Sequence, residues 1–387
     1  FQKSREAVPT SHPVNFQNIV PPSRSNLYYG EDTNESDLQK VTDDQIAQLY
    51  KLTRQFKSSS RRGELWIRLA ELYVEKSRLI EYRLQSEHDK KAKEGKREKL
   101  NLKPAQEYNH KAIELYSLFI KDFPNDPKVD QALFFLGYNL FELGKEDQGK
   151  QYYERLVKEF PESPYIEESN FALGEYYFDH EKWKPALARY DEIAKNKHAR
   201  LYSFALYKKA WCLYKVGQVK DALVSLERVI RAARSAKSEK NSGRISKIRL
   251  SGEAQKDLVI FYAEAGEPKN ARAYFEDIVG GKQVFPMMES LAYHYVSIGN
   301  RQAARDTFRA LIAERPTAPK SFDYQYRIVN LFAGEMKNDT FKMELFSWID
   351  NFGPGSEWYR TNSSNKALVE KSTILVETTL RNNILQN

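Results

Sequence analysis

The sequence predicts an all-α protein, a solenoid of stacked helix-turn-helix pairs, and three observations carry the expectation. A small residue, a second small residue twelve positions on, an aromatic or Leu four later and an aliphatic three after that recur four times between Gly137 and Leu311. Proline falls where the second helix of a pair should stop, at Pro161 and Pro316, because it cannot continue a helix and pushes its predecessor out of the α region. The 387 residues, 41% hydrophobic and 29% charged, suffice for a core that lengthens by stacking and needs no division into globular domains.

Residues 1–40 carry Pro9, Pro13, Pro21 and Pro22 amid Ser, Asn and Asp. They are read as an irregular arm that lies along the solenoid or in solvent. Residues 41–61 are read as an N-terminal cap. Thr42 and Gln45 form a capping-box pattern ahead of Ile46, Leu49, Tyr50 and Phe56, which predicts a helix over about 43–57 that Ser58, Ser59 and Ser60 end.

The solenoid is expected over 62–354, as about seven helix pairs. Trp66, Leu69, Ala70 and Tyr73 match a first helix, and Ala112, Tyr116 and Phe119, with Pro124 after them, match its partner. Between these halves, about 76–103 reads as an insertion. Its stretch from Asp89 to Lys99 mixes acids and bases around Gly95, which favours a solvated tip where two long helices turn over a hairpin that touches a partner.

The four clean copies of the spacing are Gly137, Gly149, Tyr153, Leu156; Gly174, Ala186, Tyr190, Ile193; Ala210, Ala222, Leu226, Val229; and Ala292, Ala304, Phe308, Leu311. A fifth, Ala271, Phe275, Ile278, has Val259 where the first small residue is expected. Small residues let two helices approach, while the larger apolar positions fill the seam between one pair and the next. In the linkers Phe123-Pro124-Asn125-Asp126-Pro127 and Phe160-Pro161-Glu162-Ser163-Pro164 the second Pro suits the first turn of the following helix. A second insertion, 235–250, lies between Ala222 and Ala271, 49 residues apart where neighbouring copies show 33 to 37. Residues 355–387 are read as a linker and a capping helix from Lys366 to Leu385, with Leu368, Ile374, Leu375 and Leu380 apolar. The chain opens at Phe1 without a leader-type segment and stops just past this helix, so a processed chain or a piece of a longer protein is expected.

Several functions are disfavoured by composition. No apolar run reaches the roughly 18 residues that a membrane span needs. The lone Cys212, beside Trp211, reads as a packed thiol and not a nucleophile, since no His stands at a partner spacing. His12, His88, His110, His180, His198 and His294 are scattered, with no ligand spacing for a metal. Gly280-Gly281-Lys282 lacks the rest of a nucleotide loop and reads as a turn, and Asp179 and His180 read as surface residues. No catalytic, cofactor-binding or metal-binding residue is assigned. One charged feature stands out: from Arg228 to Arg249, eight bases (Arg228, Arg231, Arg234, Lys237, Lys240, Arg244, Lys247, Arg249) meet the single acid Glu239, a net +7 against +8 for the whole chain. The bland reading is a solvated loop. The functional one is a contact with an anionic partner, nucleic acid being disfavoured because no reading module accompanies the charge.

These spacings resemble the tetratricopeptide-repeat family across about 62–318, with a degenerate further unit to about 354. The proline-punctuated linkers, Tyr165 after the second of them, and the 36- or 37-residue units resemble its bacterial cell-envelope branch. That branch includes the outer-membrane assembly lipoprotein BamD and the periplasmic coordinator of the Tol-Pal system; repeat proteins of gliding-motility machines are similar in style. The resemblance implies a right-handed superhelix whose first helices line a concave groove that binds protein or peptide. In this register the groove falls at Phe134, Tyr138 and Phe141, at Phe171, Glu175 and Phe178, and at Tyr207, Trp211 and Tyr214, eight aromatic residues in nine. Such rings are typical interface anchors; the opposing reading is that they pack on each other or lie under the arm. The Lys and Asn that carboxylate-clamp cochaperones use are replaced here by aromatic and acidic residues, which removes a chaperone-tail ligand. We therefore expect a monomeric, non-enzymatic scaffold of a bacterial envelope complex, periplasmic or outer-membrane associated, although a cytoplasmic setting stays open. The alternatives are a binder of nucleic acid or an anionic surface through the basic stretch, and an accessory or regulatory domain of a larger protein.

Overall fold

The computed structural model describes residues 35–56, 59, 61–95, 99–235, 244–333 and 339–384. Among them are α-helices and no strand. The first eight are α1 (Glu35–Gln55), α2 (Arg62–Lys93), α3 (Lys103–Asp122), α4 (Val129–Glu142), α5 (Glu146–Glu159), α6 (Ile166–Asp179), α7 (Trp183–Ala194) and α8 (Tyr202–Lys215). They form one compact unit that ends at Val216. The second unit, from Gly217 on, holds α9 (Val219–Ser235), α10 (Arg244–Ala265), α11 (Ala271–Val279), α12 (Gly281–Ser297), α13 (Arg301–Glu314), α14 (Pro319–Phe332), α15 (Asp339–Phe352), α16 (Glu357–Asn362) and α17 (Lys366–Ile384). The chain is an all-α solenoid of helix pairs. In the first unit each helix packs on its neighbours in sequence from α1 to α8, and in the second α10 also packs on α12, and α11 on α9.

The small positions do what the spacing asked of them. A Cβ built on Gly137 would lie 3.0 Å from the Tyr153 ring, one on Gly174 2.6 Å from the Tyr190 ring, and one on Gly149 2.5 Å from Phe141 and 2.9 Å from the Gly137 carbonyl. Tyr153, Leu156, Tyr190, Phe308 and Leu311 are buried in the seams. Several pairs then turn through a left-handed residue. After α4 the amides of Gly144 and Lys145 donate to Phe141 and Leu140; after α12 those of Gly299 and Asn300 donate to Val296 and Tyr295. After α6 the same two bonds form with Glu181 and Lys182 as donors, and Glu181 sits at φ 55° where the others are Gly. Gly280, at φ 80° between α11 and α12, is a turn.

Boundaries differ from the sequence reading in four places. Helix α1 starts at Glu35, eight residues before the expected 43; Thr42 is buried inside it and is not a cap. The insertion expected from 76 is largely an extension of α2 to Lys93. Its root is core: Lys76 is 4% exposed and reaches Asp43 of α1 at 2.6 Å, and the Ser77 hydroxyl donates to the Ala105 carbonyl. Beyond Tyr82 it is mainly exposed and ends at Gly95, φ 81°. Pro127 and Pro164 lie two residues ahead of α4 and α6, in the turn and not in the helix. Finally, the linker after 355 contains α16, whose Trp358 is 1% exposed, stacks on Phe322 and donates its indole N–H to the Ala318 carbonyl. Residues 1–34, and Lys237 and Lys240 of the basic stretch, lie outside the described residues.

In the second unit a fully buried carboxylate, Glu344, is met by Arg309 at 2.5 Å and by the Gln325 amide at 3.0 Å. Arg305 Nε lies 2.6 Å away but is poorly aligned as a hydrogen bond. Opposite charge and donors together are what allow a charge to be buried.

Two stability effects follow. Glu181→Gly relieves left-handed strain and stabilises the protein by about 1 kcal/mol, a rise of about 2–4 °C in Tm. Gly149→Leu drives a side chain into Phe141 and the Gly137 backbone and costs about 3 kcal/mol. Thermal unfolding followed by helical circular dichroism measures both; a neutral Gly149→Leu would show that α4 and α5 can separate there without loss.

Candidate functional site

Residues four and three apart share a helix face, so 134, 138 and 141 line α4, 171, 175 and 178 line α6, and 207, 211 and 214 line α8 in equivalent register. The structure corrects one expectation about them. Seven of the nine are buried, from Tyr207 at 0% to Phe178 at 7%, and only Glu175 and Tyr214 are half-buried. They are not an open surface of rings. Phe134 stacks on Tyr165 and meets Phe135 and Tyr153; Phe141 meets Tyr153 and Tyr176; Phe171 meets Tyr190; Phe178 meets Trp183; Trp211 meets Tyr214. Edge-to-face and offset contacts of this kind add to the area the rings bury.

Glu175 also has a structural post. Tyr190, slotted under Gly174, donates its hydroxyl to the Glu175 carboxylate, and Lys208 of α8 approaches the same carboxylate at 3.1 Å. The Lys208 ammonium lies 4.4 Å from the centre of the Phe178 ring, a cation over a ring face. Burial and then the Glu175 charge hold the Tyr190 phenol well above its usual range. At the edge of this group Asp179 is raised, first by burial and then by Glu175. Sequence reasoning missed Lys208, although two lysines, Lys208 and Lys209, between Tyr207 and Ala210 in an apolar run were a signal that acids faced them.

Cys212 is fully buried, and burial pushes its thiol up to about 12; it stays protonated at neutral pH. Asp179 and His180 are exposed, as expected of surface residues. The basic stretch divides. Arg231 pairs with Asp277 of α11 at 2.5 Å, and Arg234 donates to the Ile278 carbonyl at the C-terminal end of α11, where a cation complements the helix dipole. Arg231 and Arg234 are exposed, and both also contact α11, so part of their hydrogen-bonding capacity is used within the second unit. Arg244, Lys247 and Arg249 lie on the first two turns of α10. Among the described residues no group of three or more His, Cys, Asp or Glu is placed to hold a metal ion, and no helix is long and apolar enough to cross a membrane.

These features define a repeat protein of helix pairs with a ring-lined first-helix face. The tetratricopeptide-repeat model matches residues 131–163 and 204–233. Similar solved structures include the C-terminal part of a repeat protein from Cytophaga hutchinsonii (15% identity, 75% of this chain and 97% of that one, TM-score 0.35). Yeast Tom70 is similar at 12% identity over 100% of this chain and 71% of that one, with TM-score 0.36. A chain of the Naa15/Naa10 complex bound to HypK-THB is similar at 13% identity and TM-score 0.40; 87% of this chain covers 52% of it, about half its length. No curated protein matches the chain. The scores say nothing of ligand or pathway. The repeat fold is that of a protein-protein interaction scaffold.

Removing one partner of the buried pair should be costly. Lys208→Met leaves Glu175 with the Tyr190 hydroxyl alone and destabilises by about 3 kcal/mol, while Lys208→Met with Glu175→Gln recovers most of that loss. Denaturant titration of the two variants checks it, and an equal loss in both would deny the pair. Since Cys212 is the chain's one thiol, labelling by a thiol reagent at pH 8 should be slow in the native protein and complete on unfolding; fast native labelling would contradict its burial.

Proposed function

We propose that the chain is a non-catalytic scaffold of a bacterial cell-envelope complex, periplasmic or outer-membrane associated, and that it grips a segment of another protein along the first-helix face of α4, α6 and α8. One observation carries the reading: three successive first helices present side chains at the same three register positions, in tiers of rings around a central neutralised pair, Glu175 and Lys208. Tiered, periodic positions suit an extended segment, whose side chains recur at a similar interval. The envelope setting is supported by the proline-punctuated linkers at 123–127 and 160–164.

Replacing Phe141, Phe178 or Trp211 would damage packing, so the half-buried Tyr214 is the better probe. A photo-crosslinking amino acid at Tyr214, compared in cells with one at Leu118, exposed on α3, should give a discrete protein adduct from position 214 alone, in the envelope fraction. The same adducts from both positions would overturn the groove, and an adduct confined to the cytoplasm would overturn the setting.

A further inference from the structure

Within the second unit a cavity of about 420 Å³ opens where the C-terminal turns of α13 and α15 meet the start of α16. That volume lies within the about 300–1,000 Å³ of sites that hold a ligand. One side is apolar, formed by Ile312, Pro316, Phe352 and Trp358. It is also held in place: the Trp358 indole donates to the Ala318 carbonyl and the Asn362 amide to that of Thr317, which fixes α16 against the turn after α13.

The polar atoms left open in this cavity are mainly acceptors. Gln325 lines it and is 4% exposed. Its amide nitrogen donates to both the backbone carbonyl and the carboxylate of Glu344. Because both neighbours only accept, the amide cannot be turned over, and Oε1 is left without a hydrogen-bond partner among the described residues. Asn351 repeats the arrangement, its nitrogen spent on the Ser347 carbonyl and hydroxyl and its Oδ1 unpaired. Asp350 and Glu357, two more lining residues, are exposed, and among the described residues neither carboxylate has an ion pair or a hydrogen bond. The last carbonyls of α13 and α15 add the negative ends of two helices. Arg309 is the one base in the lining, and it pairs with the buried Glu344, which Arg305 also approaches. These three groups leave one positive charge, which the two open carboxylates exceed.

A cavity with acceptors, surplus negative charge and an apolar side is complementary to a cation on an aliphatic stem. We propose that it receives an arginine side chain presented by a partner protein, as a contact separate from the first-helix face. Arginine fits better than lysine because four acceptor groups, Gln325, Asn351, Asp350 and Glu357, exceed the three donors of an ammonium and are matched by the five of a guanidinium. The partner is a protein and not a free polyamine because the repeat fold is that of a protein-protein interaction scaffold.

The test uses the full chain and two rhodamine-labelled peptides, Ser-Gly-Arg-Gly-Ser and the same peptide with citrulline, which keeps the shape of arginine and loses its charge. Fluorescence anisotropy at low salt should show the arginine peptide binding about ten-fold or more tighter, and Asp350→Asn with Glu357→Gln should abolish that difference. Both carboxylates are exposed and unpartnered, so the double variant should fold, which helical circular dichroism checks. No preference for arginine, or a preference that survives the double variant, overturns the proposal. A photoreactive copy of the arginine peptide should join to 309–317 or 347–358, and joining elsewhere overturns it too. Spermine held through the same two acids, with no binding of the arginine peptide, overturns the protein partner in favour of a free polyamine. Crosslinking from position 214 reports on the first-helix face alone, so the two readings can fail separately.

Discussion

Most of the first unit depends on the contact between a glycine on one helix and a tyrosine ring on its partner. Without a Cβ at Gly174, the ring of Tyr190 slides under the α6 backbone and becomes fully buried. A buried phenol must place its hydroxyl, and the acceptor is Glu175, the residue after the glycine. A half-buried carboxylate is steadied by a counter-charge, and the next repeat supplies the buried Lys208, whose ammonium rests over Phe178. One steric choice therefore fixes a helix crossing, a hydrogen bond, an ion pair and a ring contact across two repeats.

The same coupling of ring and carboxylate joins neighbouring pairs elsewhere. Tyr177 of α6 donates to Glu154 of α5, Tyr274 of α11 to Glu227 of α9, and Tyr324 of α14 to Glu289 of α12. In each, burial first and the carboxylate second raise the phenol, to about 12 for Tyr177. The hydroxyls therefore remain donors well into the alkaline range. A ring buries area and its tip sets direction, so each latch fixes the rotation of one helix against another more tightly than an aliphatic contact would.

What was legible in the sequence follows from the same physics. The small positions were readable because a Cβ on Gly137, Gly149 or Gly174 would lie 3.0 Å or less from a ring, so only glycine fits at those points of the stack. For the rings at 134 to 214, spacing gives a shared register and not depth: Phe141 and Trp211 are buried where open rings were expected. Lys76 was read as the onset of a charged insertion, since nothing nearby in sequence discloses that Asp43 waits for it 33 residues away. Helix α16 was missed because six residues are too short for a period, and its one strong anchor, Trp358, is identified only by the Phe322 ring and the Ala318 carbonyl it meets. Arg231 and Arg234 looked like a free charged face because their partners, Asp277 and the end of α11, lie 46 and 44 residues on.

The charge pattern around the first-helix face constrains what it could recognise. Glu175 and Lys208 neutralise each other, and the Tyr190 hydroxyl takes a further lone pair of the acid. The Lys208 ammonium is further screened by Phe178. Little net charge is left at this pair to draw a charged ligand from a distance. A segment held on this face would owe its affinity to buried apolar area and ring contacts, which change little with salt, unlike phosphate or acidic-peptide capture, which falls steeply as counterions are added. Selectivity would then reside in the spacing of its apolar side chains against the tiers at 134, 171 and 207, a spacing set by the glycine contacts that fix how closely the helix pairs stack.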